Sequence, residues 1–326
     1  MVTAIEPLLR EQLIDRRHKL EVAAVNFREA TDVSRLLAEV DEALQRIEVG
    51  TYGLCDFCHE PVETERLIAN PLTRLCLDHL SPKEQRALED DLELASRIQS
   101  GLLPQPSQKI DGWEIAYHYQ PAGIVSGDYC DLIRSDDQSL LFVLGDVSGK
   151  GVAASMLMAH LQAMFRTLIS ISLPLEEIVE RVSRVFCEST LPTHYATLVC
   201  GKANTSGGLE ICNAGHPPPL LVHGGTVKRI EATGLPVGVF GNEHFSVNRL
   251  QMDKGDTLFL YTDGLSETLD GTGREYGVGR LSELLTKNRG LSPKELIATC
   301  VREASAFRIR SSVTDDLTLM AIQRVH

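Results

Sequence analysis

The feature that most constrains the fold is the stretch 141–154, LFVLGDVSGKGVAA. An apolar run of strand type ends at Asp146, and two glycines, Gly149 and Gly151, then permit a tight turn before a helical run. A carboxylate at the end of a buried strand, beside the carbonyl of the turn, suits a hard cation. The same pattern is also that of an ordinary strand-to-helix turn with a capping aspartate.

Three further acids lie next to apolar runs. Asp128 stands in the segment VSGDYCD, Asp263 ends the run TLFLYTDG, and Asp315 opens the run DDLTLMAI. If these strand ends meet at one edge of the fold, the four carboxylates could hold one metal cluster. Spacing alone does not decide between that cluster and four separate turns.

Composition narrows the class of protein. The 326 residues are 43% hydrophobic and 24% charged, which is ordinary for a soluble globular protein of about two domains with an additional module. The formal net charge of −13 argues against nonspecific binding of nucleic acid or of an anionic membrane. Because no signal segment opens the chain and the eight cysteines are scattered unevenly, we expect a cytoplasmic protein. The apolar stretch 152–175 contains polar residues and predicts a buried helix, not a membrane span.

Residues 1–49 predict a helical hairpin. Apolar residues recur at three- and four-residue steps in two stripes. The stripes are Leu13, Arg17, Leu20, Ala24 and Phe27, and then Leu36, Leu37, Val40, Leu44 and Ile47. Two antiparallel helices joined near Ala30 would bury both stripes, and one long helix with a break is the alternative.

Residues 50–80 predict a structural zinc site. Cys55-x2-Cys58 and Cys76-x2-His79, with 17 residues between them, have the ligand spacing of a zinc ribbon. The x2 symmetry favours His79 over the neighbouring His59 as the fourth ligand. Four ligands leave no open position, so the metal would stabilise a segment that is too short for a core of its own. Two unrelated reduced turns are the alternative.

Residues 81–106 predict a linker helix. Ser81, Pro82 and Glu84 form a good helix start, and prolines at 104 and 106 end it. One stripe has coiled-coil spacing, and it consists of Leu88, Leu92, Ala95, Ile98 or Gln99, and Leu102. We expect a parallel homodimer through this helix. A helix packed on the domain that follows it in the chain is the alternative.

From residue 107 onward, strand-like runs outnumber helical ones. The predicted strands are 113–119, 139–144, 195–201, 208–212, 220–223, 245–252, 256–261 and 316–323, and the predicted helices are 152–171, 175–189, 278–286 and 292–307. Turns of hairpin length separate the middle strands, which favours antiparallel sheets flanked by helices over a parallel βαβ sheet. Neither nucleotide-binding glycine motif, GxxxxGK[ST] or GxGxxG, occurs in the sequence.

The zinc-site segment resembles the zinc finger of the DksA/TraR family. The shared residues are Tyr52-Gly53, the two cysteines, Pro61-Val62, Glu65-Arg66-Leu67, Ala69, Pro71 and Cys76. In that family the finger follows a helical hairpin and its members bind RNA polymerase, in the DksA branch through acidic residues at the hairpin tip. Here His79 replaces the usual fourth cysteine, and the tip at 28–32 lacks the paired aspartates.

The second half resembles the metal-dependent protein serine/threonine phosphatases of the PPM superfamily, in the SpoIIE/RsbU branch. The shared segments occur in family order over about residues 90–325, and they are IQSGLLP, SGDYCD, GDVSGKGVAASMLM, NAGHPPPLL, GLPVGV, GDTLFLYTDGLSE and TDDLTLMAI. The resemblance implies an α+β fold in which two antiparallel β-sheets are sandwiched between helices. It also implies two Mn²⁺ or Mg²⁺ ions between the sheets.

The resemblance assigns five metal ligands: Asp128, Asp146, the carbonyl of Val147, Asp263 and Asp315. It makes Asp146 the bridge between the ions, with Asp128 and Val147 on one ion and Asp263 and Asp315 on the other. The four aspartates are therefore the expected catalytic residues. Two such ions can lower the pKa of a shared water that attacks phosphorus in line.

The chain is therefore predicted to have four segments: a hairpin at 1–49, a zinc finger at 50–80, a linker helix at 81–106 and a phosphatase domain at 107–326. The expected function is a protein phosphoserine/phosphothreonine phosphatase gated by its N-terminal zinc module. The family implies a phosphorylated anti-sigma-factor antagonist as substrate. The alternative is a zinc-finger protein that binds RNA polymerase or another partner and uses the phosphatase fold as a scaffold. Acids at all four matching positions favour the enzyme.

Overall fold

The computed structural model describes residues 2–26, 31–80, 82–135, 137–170, 173–191, 193–308 and 315–325. The chain divides into two compact units, Met1–Asp91 and Leu92–His326. The finer division into four segments remains a prediction.

The first unit begins with two helices, α1 (Val2–Asn26) and α2 (Thr31–Glu48). Part of each predicted stripe is buried: Leu13 of α1 and Val40 of α2 belong to one apolar cluster with the zinc-finger segment, and Leu9 and Ala43, which the stripes did not include, also belong to it. The chain therefore forms two helices and not one long helix. Residues 27–30, which hold most of the predicted hairpin tip, lie outside the described residues.

The finger segment contains little regular structure. A short helix α3 (Thr64–Ala69) and a 3₁₀ turn (Leu77–His79) are followed by the linker helix α4 (Pro82–Leu102). The predicted N-cap, Ser81, is not among the described residues. Tyr52, Val62 and Leu67 are buried beside the first two helices, so the finger shares their small core.

The second unit contains two antiparallel sheets. The six-stranded sheet has the order β1-β2-β11-β10-β7-β8, and the five-stranded sheet has the order β3-β4-β5-β6-β9. The strands are β1 (Ser107–Ile110), β2 (Trp113–Gln120), β3 (Asp128–Arg134), β4 (Leu140–Val147), β5 (Ala196–Ala203), β6 (Gly208–Ala214), β7 (Leu220–His223), β8 (Thr226–Arg229), β9 (Asn248–Gln251), β10 (Thr257–Tyr261) and β11 (Leu317–Arg324).

Helices cover the outer face of each sheet. They are α5 (Gly151–Ile169) and α6 (Leu175–Ser189) on the five-stranded sheet, and α8 (Gly277–Lys287) and α9 (Pro293–Phe307) on the six-stranded sheet, with a short α7 (Asp263–Ser266) after β10. A third apolar cluster, which includes Phe142, Leu260 and Met320, fills the space between the sheets. The predicted α+β sandwich is confirmed.

The sequence analysis missed three strands. β1 and β8 are four-residue strands at the edges of their sheet, and they are largely polar and exposed. β3 is buried along most of its length, yet it carries two acids, Asp128 and Asp131, that interrupt the apolar pattern. Both acids are buried because other side chains hydrogen-bond to them. Short edge strands and paired buried acids both fall outside the periodicity on which strand prediction relies.

Among the described residues, one helix has the length and composition of a membrane span, and it is α5. Its buried residues, Ala154, Met158, Leu161, Phe165 and Ile169, belong to the core between α5, α6 and the five-stranded sheet. The helix thus has the packing predicted for the apolar stretch 152–175.

Candidate metal centre

The four aspartates singled out in the sequence lie at one end of the sandwich. Asp128 opens β3 and is the register partner of Asp146 near the end of β4. Asp263 follows β10 at the start of α7, and Asp315 stands two residues before β11. Since β10 and β11 are antiparallel neighbours, the end of one lies beside the start of the other.

The carboxylate of Asp128 connects the two sheets. It is buried, and its Oδ2 accepts hydrogen bonds from Thr262 Oγ1 at 3.1 Å and from Thr318 Oγ1. Thr262 immediately precedes Asp263, and Thr318 is the second residue of β11. These two hydroxyls therefore hold Asp128 of the five-stranded sheet against the ends of strands β10 and β11 of the six-stranded sheet. The sequence analysis missed both threonines, although Thr262 directly adjoins a predicted ligand.

The cluster has an excess of negative charge. Burial raises the pKa of Asp128 well above its ordinary value, and the neighbouring Asp146 raises it further. Burial, followed by the charges of Asp263 and Asp315, raises the pKa of Asp146 to about 7. Burial and Asp315 also raise the pKa of Asp263. Carboxyls that repel one another in a partly buried site are stabilised by a bound cation.

A lysine lies beside these acids. Lys150 Nζ is 3.1 Å from Asp315 Oδ1. Its charge lowers the pKa of Asp146 and of Asp263, against the larger effects that raise them. Lys150 was not among the residues predicted for this site. The pattern SGKG, directly after a predicted ligand, was the signal for its position.

The backbone around Asp128 leaves room at the centre. A Cβ on Gly127 would lie 3.0 Å from the carbonyl oxygen of Val147 and 3.4 Å from Asp146 Oδ1. The predicted carbonyl ligand and the predicted bridging carboxylate thus face the same glycine, and a side chain there would crowd both oxygens. Glycine at 127 keeps this position open.

The carboxylate of Asp316 hydrogen-bonds to backbone and not to the other acids of the cluster. Its two carboxylate oxygens accept hydrogen bonds from the backbone N–H groups of Ala122 (2.7 Å) and Gly127 (2.9 Å). The chain passes very close to Gly264 here, because a Cβ on that residue would collide with the carbonyl oxygen of Asp316. Asp316 therefore holds the loop before Asp128 near the start of β11.

Asp131 is also structural. Although it is fully buried, both of its oxygens accept hydrogen bonds from the guanidinium of Arg166 on α5, at 2.6 and 2.7 Å. A bidentate pair of this kind is the usual partner of a buried carboxylate. The carboxylate of Asp131 is thus paired with Arg166 of α5, which favours a structural role over metal binding.

His216, in the turn NAGHPPP, is buried and neutral. Its Nδ1 lies 2.9 Å from Thr197 Oγ1, while its Nε2 has no hydrogen-bond partner among the described residues. Burial lowers the pKa of His216 to about 3, so the enclosed imidazole is neutral.

The four side chains predicted to bind zinc lie close together. The ligand atoms of Cys55, Cys58, Cys76 and His79 all lie within 4.8 Å of one another. Cys76 Sγ is 3.1 Å from His79 Nδ1 and 3.7 Å from Cys58 Sγ, and the ring of Phe57 stacks on the imidazole at 4.5 Å between centroids. Burial raises the pKa of Cys55, but N–H groups of Cys58, Cys76 and Phe57 outweigh it and lower the pKa to about 6. A thiol that ionises readily suits a zinc ligand.

Comparison with known families agrees with both centres. Residues 136–325 match the family model of stage II sporulation protein E (SpoIIE). The chain belongs to the SpoIIE family. Residues 50–78 match the model of the prokaryotic dksA/traR C4-type zinc finger, in which the fourth ligand is a cysteine and not the His79 found here.

Individual relatives match more than half of the chain. Protein IcfG from Synechocystis is 30% identical over 72% of this chain, and the phosphoserine phosphatase RsbP from Bacillus subtilis is 27% identical over 54% of it. The chain spans only 41% of IcfG and 45% of RsbP. The structure of the RsbU and RsbW domains of Rv1364c from Mycobacterium tuberculosis aligns with 68% of this chain and 63% of its own, at 30% identity and a TM-score of 0.59.

The donor atoms fit the cofactors of these families. Carboxylate and carbonyl oxygens are the ligands that Mg²⁺ and Mn²⁺ prefer, and thiolates with an imidazole are those of Zn²⁺. The nearness of Gly127 to both the Val147 carbonyl oxygen and Asp146 Oδ1, and the mutual repulsion of the acids, are both compatible with a bound divalent cation. The cofactors are accordingly Mn²⁺ or Mg²⁺ in the second unit and Zn²⁺ in the finger.

Proposed function

We propose that the protein is a metal-dependent phosphoserine/phosphothreonine protein phosphatase. The observation that carries this proposal is the convergence of four buried or partly buried aspartates at one end of a SpoIIE-family sandwich, where the pKa values of Asp128, Asp146 and Asp263 are raised. An interaction scaffold would gain nothing from such repulsion, because buried like charges destabilise a fold that binds no cation. The enzyme is therefore favoured over the scaffold alternative.

In this proposal the acids would hold two cations. Asp146 would serve both, Asp128 and the carbonyl of Val147 would hold one, and Asp263 and Asp315 would hold the other. When bound, the cations would lower the pKa of a water and neutralise charge on the phosphoryl oxygens. Thr262 and Thr318 hold the carboxylate of Asp128 in one orientation through their hydrogen bonds. Asp316 holds the loop that leads into it.

The proposed substrate is a phosphorylated protein of a partner-switching pathway, such as an anti-sigma-factor antagonist. Support comes from relatives named as phosphoserine phosphatases, such as RsbP from B. subtilis. A cytoplasmic location would agree with such a substrate and with the reduced cysteines of the finger. The zinc module and the linker helix would then control the enzyme, the helix by forming a homodimer.

The test is phosphate release by the purified full chain from a panel of phosphoserine, phosphothreonine and phosphotyrosine proteins. The assay is run with Mn²⁺, with Mg²⁺ and after chelation. We expect release from phosphoserine or phosphothreonine substrates that depends on the added cation. Equal release from chelated protein would contradict the metal-dependent mechanism. No release from any substrate at any cation concentration would favour the scaffold alternative.

A further inference from the structure

We propose that a pocket beside the metal centre binds an apolar residue flanking the phosphoserine of the substrate, while Lys150 binds the phosphoryl group. This inference rests on the proposed function and adds a recognition rule to it. The pocket has a volume of about 370 Å³ and is lined in part by Leu92, Ile124, Val152, Lys150 and Asp316.

The lining exposes apolar side chains that the fold itself does not cover. Ile124 is 50% exposed and Val152 is 45% exposed, although each adjoins a well-packed segment. Leu92 contributes a half-buried side chain from the linker helix. Small-ligand pockets begin at about 300 Å³, so this one has room for a short piece of peptide. Three aliphatic side chains around such a space favour an apolar occupant.

The pocket is continuous with the metal centre. Lys150 lines the pocket and is also in ion-pair contact with Asp315, a proposed metal ligand. Asp316 likewise lines it and hydrogen-bonds the N–H of Gly127, next to Asp128. A substrate residue bound in the pocket would therefore lie close in sequence to a phosphoserine bound at the four aspartates. A binding site elsewhere on the surface would not have this relation.

Charge favours a phosphorylated peptide over an unphosphorylated one. The side chain of Lys150 is 63% exposed, so its ammonium can turn from Asp315 towards an incoming anion. Lysine binds phosphate as a point charge. Lys150 thus supplies a positive group in a centre that otherwise repels a phosphoryl dianion, and the adjoining apolar wall selects the residue beside it.

The first experiment measures preference with short phosphoserine peptides. A glycine-serine peptide with one central phosphoserine is compared with six versions that carry leucine at each of the three positions on either side. With Mn²⁺, we expect leucine at one position to raise kcat/KM by about tenfold or more, the range in which hydrophobic pockets discriminate. If the peptides are hydrolysed with no preference at any position, the pocket proposal is wrong and the proposed function stands. If none is hydrolysed and no phosphoprotein is either, the proposed function itself fails.

Variants then locate the preference. Ile124→Ser and Val152→Ser should reduce the leucine preference to about twofold or less, because each removes one apolar wall of the pocket. Val185→Ser is the matched control, since Val185 is a 43% exposed valine on α6, outside this pocket. It should keep the wild-type preference. An equal loss of preference in all three variants, or in none, would overturn the assignment.

The role of Lys150 is tested by binding, without turnover. A fluorescent peptide with a phosphonate analogue of phosphoserine is compared with its serine version by anisotropy, using the Mn²⁺-loaded full chain. Lys150→Met should reduce the affinity ratio of phosphonate to serine peptide by about tenfold or more, the effect of one charge-assisted contact, and Lys150→Arg should largely restore it. A wild-type ratio in Lys150→Met would overturn the phosphoryl role of Lys150.

Discussion

The side-chain amide of Gln99 and the backbone of Ser126 exchange two hydrogen bonds. Gln99 Nε2 donates to the Ser126 carbonyl oxygen at 2.7 Å, and Gln99 Oε1 accepts from the Ser126 N–H at 3.0 Å. Both residues are buried, and Ser126 Oγ accepts a hydrogen bond from the N–H of Asp128. The linker helix is thereby attached two residues away from an acid of the metal centre.

Gln99→Ala should destabilise the protein and weaken its metal centre. The substitution leaves a buried N–H and a buried carbonyl of Ser126 without partners, at a cost of about 1–3 kcal/mol for each group. Denaturant unfolding measures the loss, and titration with Mn²⁺ should show a lower apparent affinity. Gln85→Ala on the same helix is the control, since Gln85 is exposed and its amide donates a hydrogen bond to the exposed Glu89. Unfolding of Gln99→Ala within about 0.5 kcal/mol of the wild type would contradict the attachment.

Asp146→Asn should reduce phosphate release by orders of magnitude while preserving the fold, because the proposed bridging carboxylate is lost. The same variant should be more stable than the wild type when both are free of metal. At pH 8 the wild-type carboxylate, with its pKa of about 7, is ionised beside Asp263 and Asp315, and the amide carries no charge. Thermal unfolding in chelator checks the second expectation, with the exposed Asp90→Asn as control. A metal-free variant less stable than the metal-free wild type would show that repulsion among these carboxylates is not the main effect of Asp146 on stability.

The sequence predicted the acids of the metal centre better than their surroundings. Asp146 and Asp263 adjoin apolar runs whose strand pattern is plain, so their position at strand ends could be anticipated. Asp128 was predicted from its motif alone, because the two acids of β3 make its sequence look polar. The partners that allow these acids to be buried lie far along the chain. Thr318 is 190 residues from Asp128. Local periodicity contains no information about such a partner.

The linker helix shows a similar limit. Its stripe predicted an apolar seam and left open whether a second copy or the chain's own domain covers it. At one position of the stripe, the side-chain amide of Gln99 is buried and hydrogen-bonds to the backbone of the same chain. Leu94 and Ile98 of this helix are exposed. Helical spacing defines which residues share a face, but it does not identify what that face contacts.

The zinc finger should tolerate a change of its fourth ligand but not the loss of a ligand. His79→Cys reproduces the four-cysteine set of the matching finger family and should retain zinc. Cys55→Ser should lose zinc and unfold residues 50–80, because metal binding supplies much of the stability of so small a segment. Elemental analysis and hydrogen exchange measure both effects. Cys187→Ser, a free cysteine outside the finger, is the control. Full zinc content in Cys55→Ser would refute the ligand assignment.

His216 should make the fold less stable in mild acid. Its pKa is about 3 in the folded chain and about 6.5 when unfolded, so between these values the unfolded chain binds more protons. The stabilising contribution is therefore complete above pH 6.5 and is lost as the pH falls towards 3. Relative to His216→Asn, the wild type should lose up to about 1.4 kcal/mol of unfolding free energy per pH unit in that window. A difference between the two proteins that does not change with pH would mean that His216 titrates normally.

The proposed homodimer should depend on Leu94 and Ile98. These residues of α4 are 50% and 60% exposed and lie one helical turn apart, whereas the predicted seam residue Leu92 is half-buried. Ile98→Asp places a charge in this seam, and sedimentation should then show a monomer. Leu191→Asp is the control, because Leu191 is similarly exposed but lies outside the linker helix.

Assembly and control are separated by measuring metal dependence in the same proteins. Gln99 of the linker helix hydrogen-bonds to the loop before Asp128. A change in the packing of this helix against a second copy should therefore shift the position of Asp128. A displacement of about 1 Å at a catalytic group costs roughly a hundredfold in rate. We therefore expect monomeric Ile98→Asp to need a different Mn²⁺ concentration for half-maximal activity. A monomer with the Mn²⁺ dependence of the wild type would mean that the helix assembles the protein without controlling its metal centre.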